Sequence, residues 1–369
     1  MPTNGNDKKV SVLIEGSSEA KKPEPEKIEL AIDKEALKKF KLIAVAYSHV
    51  EREWFPNEQS YLAEVEVEQR AAEVIKEIEK LGIKAKGYPG DQYFLTNLLV
   101  DRPDLVLNLV DTLKGRDALQ TSIPAALELA NVPYTGAEMQ GLVIGNDRHL
   151  IKQLLIAYQI PTPQFQYIRY AGTKIQETLK PPLIVKLNES GGSVGIDNHA
   201  VKETLKEAEK KVDEMIGVYK VGVIVEQFIG GPEFTVVVYD DKTKKHVFMG
   251  EKIFRTKPDG KHYFTSIESY DDSKAYKYRK VPEEIASKIA KLAVRAFNGL
   301  RHKDYAKFDI RYDEESGTPY FTDCNPNTAF GPDKGLPLTE VIGLHGIKFE
   351  DILASLRFPS FNFLLKAIR

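Results

Sequence analysis

Ala306-Lys307-Phe308-Asp309-Ile310-Arg311 and Tyr320-Phe321-Thr322-Asp323-Cys324-Asn325 read as two short strands, joined by the turn-forming run Asp313-Glu314-Glu315-Ser316-Gly317-Thr318-Pro319. Successive side chains of a strand point to opposite faces. Lys307, Asp309 and Arg311 therefore share one face of the first strand, and Phe321, Asp323 and Asn325 one face of the second. A turn centred on Ser316 sets Asp309 opposite Asp323, with β-carbons roughly 5 Å apart. Facing carboxylates repel unless something positive lies between them. Two carboxylates and an amide carbonyl are hard oxygen donors of the kind that suit magnesium, which is usually bound together with substrate phosphates. An exposed strand edge with solvated acids is the competing reading of the same residues.

The rest of the chain narrows the choice. With 369 residues and 42% hydrophobic content it has room for two or three domains with real cores. Its 52 basic and 54 acidic residues leave a net charge of −2, with no basic excess to suggest nucleic acid or an anionic membrane as partner. Cys324 is the only cysteine, which excludes a disulfide framework and a thiolate zinc site and suits a reducing cytoplasm. The histidines, at 49, 149, 199, 246, 262, 302 and 345, have no HxxxH or HExxH spacing, so zinc catalysis is not expected. No apolar run reaches the ~18 residues of a membrane-spanning helix, and the N-terminus lacks an apolar signal core. Residues 1–40, centred on Lys21-Lys22-Pro23-Glu24-Pro25-Glu26-Lys27, are polar and charged and are expected to form a flexible leader.

From Lys41 the pattern changes. Leu42-Ile43-Ala44-Val45-Ala46 and Asp104-Leu105-Val106-Leu107-Asn108-Leu109-Val110 are short apolar runs typical of buried parallel strands, with helices expected from Gln69 to Leu81 and from Ser122 to Ala130. Alternating strands and helices imply βαβ units. Asn146-Asp147 is placed to cap a helix through Tyr158, and Leu183-Ile184-Val185-Lys186 reads as a further strand. Strand-rich sequence follows from Val221, and Ile285, Ile289, Leu292 and Ala296 recur at helical spacing before Gly299.

Two segments add chemistry. Lys186, at the end of its strand, is followed by Ser190-Gly191-Gly192-Ser193-Val194-Gly195, a loop able to offer backbone N–H groups to phosphate, although no GxxxxGK[ST] P-loop occurs. A flexible surface turn with a solvated lysine is the bland alternative. In Val223-Ile224-Val225-Glu226-Gln227-Phe228-Ile229-Gly230-Gly231-Pro232-Glu233, free backbone groups at Gln227 to Ile229 could meet an adenine edge and Glu233 could accept from ribose hydroxyls. Two strands joined by a Gly-Gly-Pro turn would look the same.

Taken together, Pro133-Tyr134-Thr135-Gly136, Asn146-Asp147-Arg148 with Lys152, Val185-Lys186 with its glycine loop, Glu226 to Val236 and the Asp309/Asp323/Asn325 hairpin resemble, in order and spacing, the ATP-grasp enzymes. The resemblance is closest to the D-alanine:D-alanine ligase family and covers nearly everything from Lys41 onward. It implies an α/β fold: an N-terminal Rossmann-like (preATP-grasp) domain over residues 41–145, then two α+β subdomains, 146–232 and 233–369, that clasp ATP. It puts Lys186, Ser193 and Arg148 on the ATP phosphates, Arg148 standing where the family has lysine. Glu226, Gln227, Ile229 and Glu233 become adenine and ribose ligands. Asp309, Asp323 and Asn325 become ligands of magnesium, two ions with manganese as the alternative. Lys307 falls where an arginine steadies the charge on the reacting carbonyl, and Glu51 where a glutamate receives the first amino acid's ammonium. The implied reaction is ATP-dependent joining of two amino acids through an acyl phosphate, with D-alanyl-D-alanine as product, in a cytoplasmic enzyme of a family whose members are commonly homodimers.

Some positions depart from the family pattern. Gly192 stands where a serine is usual. The expected lid, His262 to Lys280, carries Tyr263, Ser269-Tyr270-Asp271-Asp272 and Tyr276 without the usual lysine-tyrosine pairing. Pro326 to Leu336 lacks the serine that holds the second amino acid's carboxylate, for which Lys334 is a substitute point charge. Asp323 replaces a glutamate. Cys324, pointing away from the metals, is expected to pack as a small hydrophobe. A ligase for another dipeptide or amino-acid amide, a non-catalytic ATP-binding module and a bicarbonate-using carboxylase type are the alternatives.

Overall fold

Alternation within the first apolar run explains why it lies inside a sheet. β1 (Leu42–Tyr47) runs parallel to β2 (Lys84–Pro89) and β3 (Leu105–Leu109), in the order β2-β1-β3. Ile43 and Val45 join one core with Ala71, Val74 and Ile78, the apolar face of the Val67–Lys80 helix. Ala44 and Ala46 point the other way, against Phe94, Leu98, Ile123 and Leu127. With both faces covered, the strand has no polar positions. The computed structural model describes residues 28–32, 34–37, 39–267, 275–332 and 335–356. Among them no helix is long and apolar enough to cross a membrane.

Two antiparallel sheets follow. β4 (Phe165–Ile168), β5 (Leu183–Leu187), β6 (Val201–Lys202) and β7 (Val223–Gln227) form a sheet in the order β4-β7-β5-β6, backed by the Leu205–Tyr219 helix. β8 (Glu233–Asp240), β9 (Lys245–Phe254), β10 (Tyr276–Lys280), β11 (Tyr305–Asp313) and β12 (Thr318–Asn325) form a larger one, β10-β9-β8-β11-β12. One face of it packs on the Glu283–Gly299 helix through Ile289, Ala293, Ala296 and Phe297. The other contributes Val237, Tyr239, Phe248 and Tyr305 to the same core as β1 and β3.

That shared core shortens the expected leader. Leu37 is buried in it, Ile28 and Leu30 pack against it, and the Ala31 N–H donates to Asp241 Oδ2 (3.1 Å). Sparse apolar residues in a charged segment carry little periodic signal, yet Ile28, Leu30, Leu37 and Phe40 pack here. Residues 1–27 lie outside the described residues.

The hairpin reaches the expected pairing by an unexpected route. The pairs Asp313↔Thr318 and Ile310↔Phe321 centre the turn between Glu315 and Ser316, a register that would set Asp309 against Thr322. A bulge at Thr322 shifts the ladder by one, so that Asp309 pairs with Asp323 and Lys307 with Asn325. The Thr322 hydroxyl donates to the Asp309 carbonyl (2.9 Å) and holds the extra residue. The expectation that Phe321 shares a face with Asp323 and Asn325 is corrected by this bulge. Phe321 joins Phe308, Ile310 and Cys324 in the core, which drives the shift because a strict alternation would bury Asp323 there instead.

Candidate active site

Asp147 caps the Arg148–Ala157 helix, accepting from the Leu150 N–H (2.9 Å), and Asn188 after β5 stitches the same helix start to the glycine loop through the N–H groups of Arg148 and His149. The Arg148 guanidinium then reaches three acceptors: Leu187 O (2.8 Å), Ser190 O and Asp323 Oδ2 (2.8 Å). It ties the phosphate-type loop to the hairpin. Gly192 and Ser193 have φ of +59° and +58°, a left-handed turn that is unstrained only at the glycine. Among the residues that border the cavity described below, the loop is represented by Ser190, Gly191 and Gly192, with Ser193 just beyond them.

Lys186 of β5 and Lys152 of the helix both contact Glu226 of β7, which is 1% exposed; Lys152 also donates to Thr162 Oγ1 (3.0 Å). Burial pushes the Glu226 carboxyl up, but Lys152 and Lys186 outweigh it and hold it below the usual range. For Lys152, burial prevails and lowers the ammonium. Glu226 is thus the counter-ion of two lysines, and a place on an adenine edge would require it to release one of them. The backbone edge expected over Gln227 to Ile229 narrows as well. The Gln227 N–H donates to Gln164 O and the Phe228 N–H to Pro182 O (both 2.9 Å), leaving, among the described residues, the Ile229 N–H without a backbone acceptor.

Glu233 accepts from Lys252 (2.8 Å), Thr265 (2.6 Å) and Arg311 (3.0 Å). Burial raises its carboxyl, but Lys252 and Arg311 bring it down to about 2. A carboxyl lowered on folding stabilises the fold above its unfolded value near 4.5 and loses that contribution as pH falls toward 2. The shift corresponds to about 3 kcal/mol. The stability gap between native protein and Glu233→Gln, measured by urea denaturation, is therefore expected to shrink steadily from pH 5 to pH 3. A gap independent of pH would contradict this assignment.

Asp309, Asp323, Asn325 and Lys307 meet at the hairpin. Lys307 Nζ contacts Asp309 Oδ2, and Lys252 lies 4.0 Å from Asp309 Oδ1. Burial raises Asp323, but Arg148, Lys186 and Lys307 together bring it down to about 2, so it is a carboxylate at neutral pH. Two carboxylates with an amide beside them fit a hard divalent cation, provided Arg148 and Lys307 yield donor oxygens to it. Among the described residues no three His, Cys, Asp or Glu side chains form a metal cluster, so the amide is needed to complete the set.

A cavity of about 1230 Å³ opens beside the hairpin, bordered by Lys307, Asp323, Asn325, Arg148 and Ser190 to Gly192. Lys186, Glu226 and Glu233 are buried outside its lining. Tyr276 and Tyr278 border it from β10, and at the start of the expected lid segment Ile267 N–H donates to Ile196 O (2.8 Å) and Ser266 Oγ to Asn198 Oδ1 (2.9 Å). Ser269 to Asp272 and Lys334, named from the sequence, lie outside the described residues. Glu51 does not border the cavity. It pairs with His49 (3.1 Å) and is 42% exposed, in the loop after β1. The first-domain acids at the cavity are Glu64, Glu66, Asp111 and Asp117, with Arg70 among them.

The model of the family described as "D-ala D-ala ligase C-terminus" matches residues 154–357, more than half of the chain. The chain belongs to the D-alanine:D-alanine ligase family. Members of this ATP-grasp family are ATP-dependent ligases that form a C–N bond. A D-alanine–D-alanine ligase of Xylella fastidiosa is 24% identical over 287 residues, 76% of this chain and 89% of that protein. The fold is shared with the Bacillus anthracis D-alanine–D-alanine ligase solved with ATP (TM-score 0.65, 18% identity, 86% of this chain and 96% of that one). It is also shared with the VanG D-Ala:D-Ser ligase of Enterococcus faecalis (TM-score 0.63, 19% identity, 86% and 98%). Against this family background Lys252, Arg311, Glu64 and Asp111 are the charged groups that motif reading passed over. Lys252 and Arg311 sit on strands whose alternation puts them on the Glu233 side, a signal available beforehand; Glu64 and Asp111 carry none.

Proposed function

We propose that this chain joins two amino acids at the expense of ATP, with D-alanine:D-alanine ligase chemistry. The observation that carries the reading is the bulged pair Asp309↔Asp323, which sets two carboxylates side by side on the hairpin, with Asp323, Asn325 and Lys307 at the edge of one cavity. Lys186, Lys307 and the hairpin oxygens are the residues assigned to nucleotide and metal, and Asp309, Asp323 and Asn325 would hold the magnesium. Bound there, magnesium would neutralise phosphate charge and orient the γ-phosphate.

A substrate carboxylate and ATP are both anionic, so cationic groups must bring them together before reaction. A carboxylate oxygen attacks the γ-phosphorus, the bond to the bridging oxygen breaks, and ADP leaves. The amine of the second amino acid attacks the acyl carbon and loses a proton, and the tetrahedral intermediate expels phosphate. Lys307 is the donor assigned to that oxyanion. Arg148, engaged with Leu187 O, Ser190 O and Asp323, is assigned a positioning role between loop and hairpin in place of a direct phosphate contact. Water would hydrolyse the acyl phosphate, so Tyr276 and Tyr278, which border the cavity, are read as part of the closing lid.

Purified protein with ATP and Mg²⁺ is expected to release phosphate only when amino acids are added, and to form a dipeptide detectable by mass spectrometry. ATP turnover that no amino acid stimulates would remove the ligase reading and favour a nucleotide-binding module.

A further inference from the structure

The peptide between Ser190 and Gly191 is held from both sides. Its carbonyl accepts from the Arg148 guanidinium, and its N–H donates to Asp117 Oδ2 at 2.7 Å. The carbonyl and N–H of one planar trans peptide point in opposite directions, so a partner on each side fixes the orientation of the plane. Arg148 stands at the start of its helix and also holds Asp323 of the hairpin (2.8 Å). Asp117 belongs to the first domain, at the start of the short helical turn Asp117–Thr121. The two arms are braced against each other. Asn146, two residues before Arg148, donates through Nδ2 to the Asp117 carbonyl (3.2 Å) and accepts at Oδ1 from Gln120 Nε2 (2.8 Å).

Beyond the fixed peptide the loop closes on itself, with the Val194 N–H donating to Gly191 O (3.2 Å) and the Ile196 N–H to Ser193 O (2.9 Å). Between these bonds, the N–H groups of Gly192 and Ser193 have no acceptor among the described residues. Gly192 is exposed and borders the cavity. Two free backbone donors thus follow directly on a clamped peptide, an arrangement that an anion satisfies. Gly192 has no side chain by which a neighbour could hold it, and the first domain grips the loop through backbone one residue earlier. Burial raises the Asp117 carboxyl to about 6, against the pull of the Gly191 N–H and Arg148, so it is an ionised acceptor at neutral pH. A carboxylate repels phosphate and has no proton to donate to it. Any effect of Asp117 in favour of an anion at the loop therefore runs through the Gly191 N–H.

We propose that Asp117 is a positioning residue for the nucleotide: with Arg148 it fixes the Ser190–Gly191 peptide so that the Gly192 and Ser193 N–H groups are presented to the phosphates of ATP. This rests on the nucleotide site of the ligase reading and adds a first-domain residue to it. Hairpin, glycine loop and first domain are then joined through one peptide plane.

The test compares calorimetric binding of a non-hydrolysable ATP analogue with that of adenosine, in the presence of Mg²⁺, for native protein, Asp117→Ala and Asp117→Asn. Asp117→Ala is expected to weaken analogue binding about tenfold, the scale of one hydrogen bond to a charged group, and to leave adenosine binding within about twofold. Asp117→Asn keeps an acceptor oxygen at the same reach and is expected to stay within about threefold of native for both ligands. Equal weakening of both ligands by Asp117→Ala would mean a merely structural role and overturn the proposal. Tighter analogue binding in both variants would show that the Asp117 charge opposes phosphate, and overturns it too. So does a rise in KM for the amino acid with analogue binding unchanged, which would assign Asp117 to the amino acid. Should Asp117→Ala fail to fold, Asn146→Ala removes the brace while keeping the carboxylate. It is expected to shift the ratio of the two affinities about threefold in the same direction, and an unchanged ratio there overturns the proposal. Because the ratio is read from binding, amino acids that fail to stimulate phosphate release would remove the ligase reading alone, whereas native protein that binds no analogue would remove both.

Discussion

Asp309→Asn is expected to reduce amino-acid-dependent phosphate release by roughly a thousandfold, a loss of about 4 kcal/mol of transition-state stabilisation. The substitution keeps shape and one carbonyl oxygen, but removes the charge that faces Asp323 across the bulged pair. Asp309 is only partly buried, so its amide remains solvated, and the ladder bonds of β11 do not involve the side chain. The melting temperature is therefore expected to stay within about 3 °C of native. Loss of saturable Mn²⁺ binding, measured by calorimetry in the presence of a non-hydrolysable ATP analogue, would accompany the loss of turnover. Activity within tenfold of native, with metal binding intact, would show that the hairpin acids are not the metal ligands.

Glu226→Gln is expected to be damaging for a different reason. Lys152 and Lys186 converge on this carboxylate from opposite elements, and Lys152 is 2% exposed. A neutral amide leaves two buried ammonium groups without a counter-ion, a type of change that costs about 3–5 kcal/mol. A fall in melting temperature on the order of 10 °C should follow. Replacing Lys152 as well, in Glu226→Gln/Lys152→Met, should recover much of it, because one of the stranded charges goes too. A melting temperature unchanged by Glu226→Gln would mean that the lysines are solvated and that the triad is not a structural unit.

How much of this was legible beforehand varies with the physics of each element. β1 and β3 are legible as buried runs because a sheet covered on both faces leaves no polar positions. The Val67–Lys80 and Glu283–Gly299 helices declare themselves by apolar spacing on one face. β2, Lys84 to Pro89, is not legible: it is the sheet edge, and only Tyr88 of its six residues is fully buried. The Thr322 bulge is equally silent, since nothing local separates it from regular alternation. Packing of Phe321 and Cys324 against the Glu283–Gly299 helix decides it.

By itself the sequence determined the kind of chemistry, because residue types carry it: Lys186 beside a glycine loop, two acids and an amide on a hairpin, one cysteine and no metal-binding histidine pair. Tertiary structure decided which charges meet. Glu51 and Glu64 are the same residue type thirteen positions apart, and only the fold puts one at the cavity and the other against His49 in partial solvent. Glu226 and Glu233 look alike in the chain too, yet one balances Lys152 and Lys186 and the other Lys252 and Arg311. The reason is range. Hydrophobic periodicity is a local property of a segment, whereas an ion pair depends on partners supplied by elements far apart in the chain and on the water that folding excludes around them.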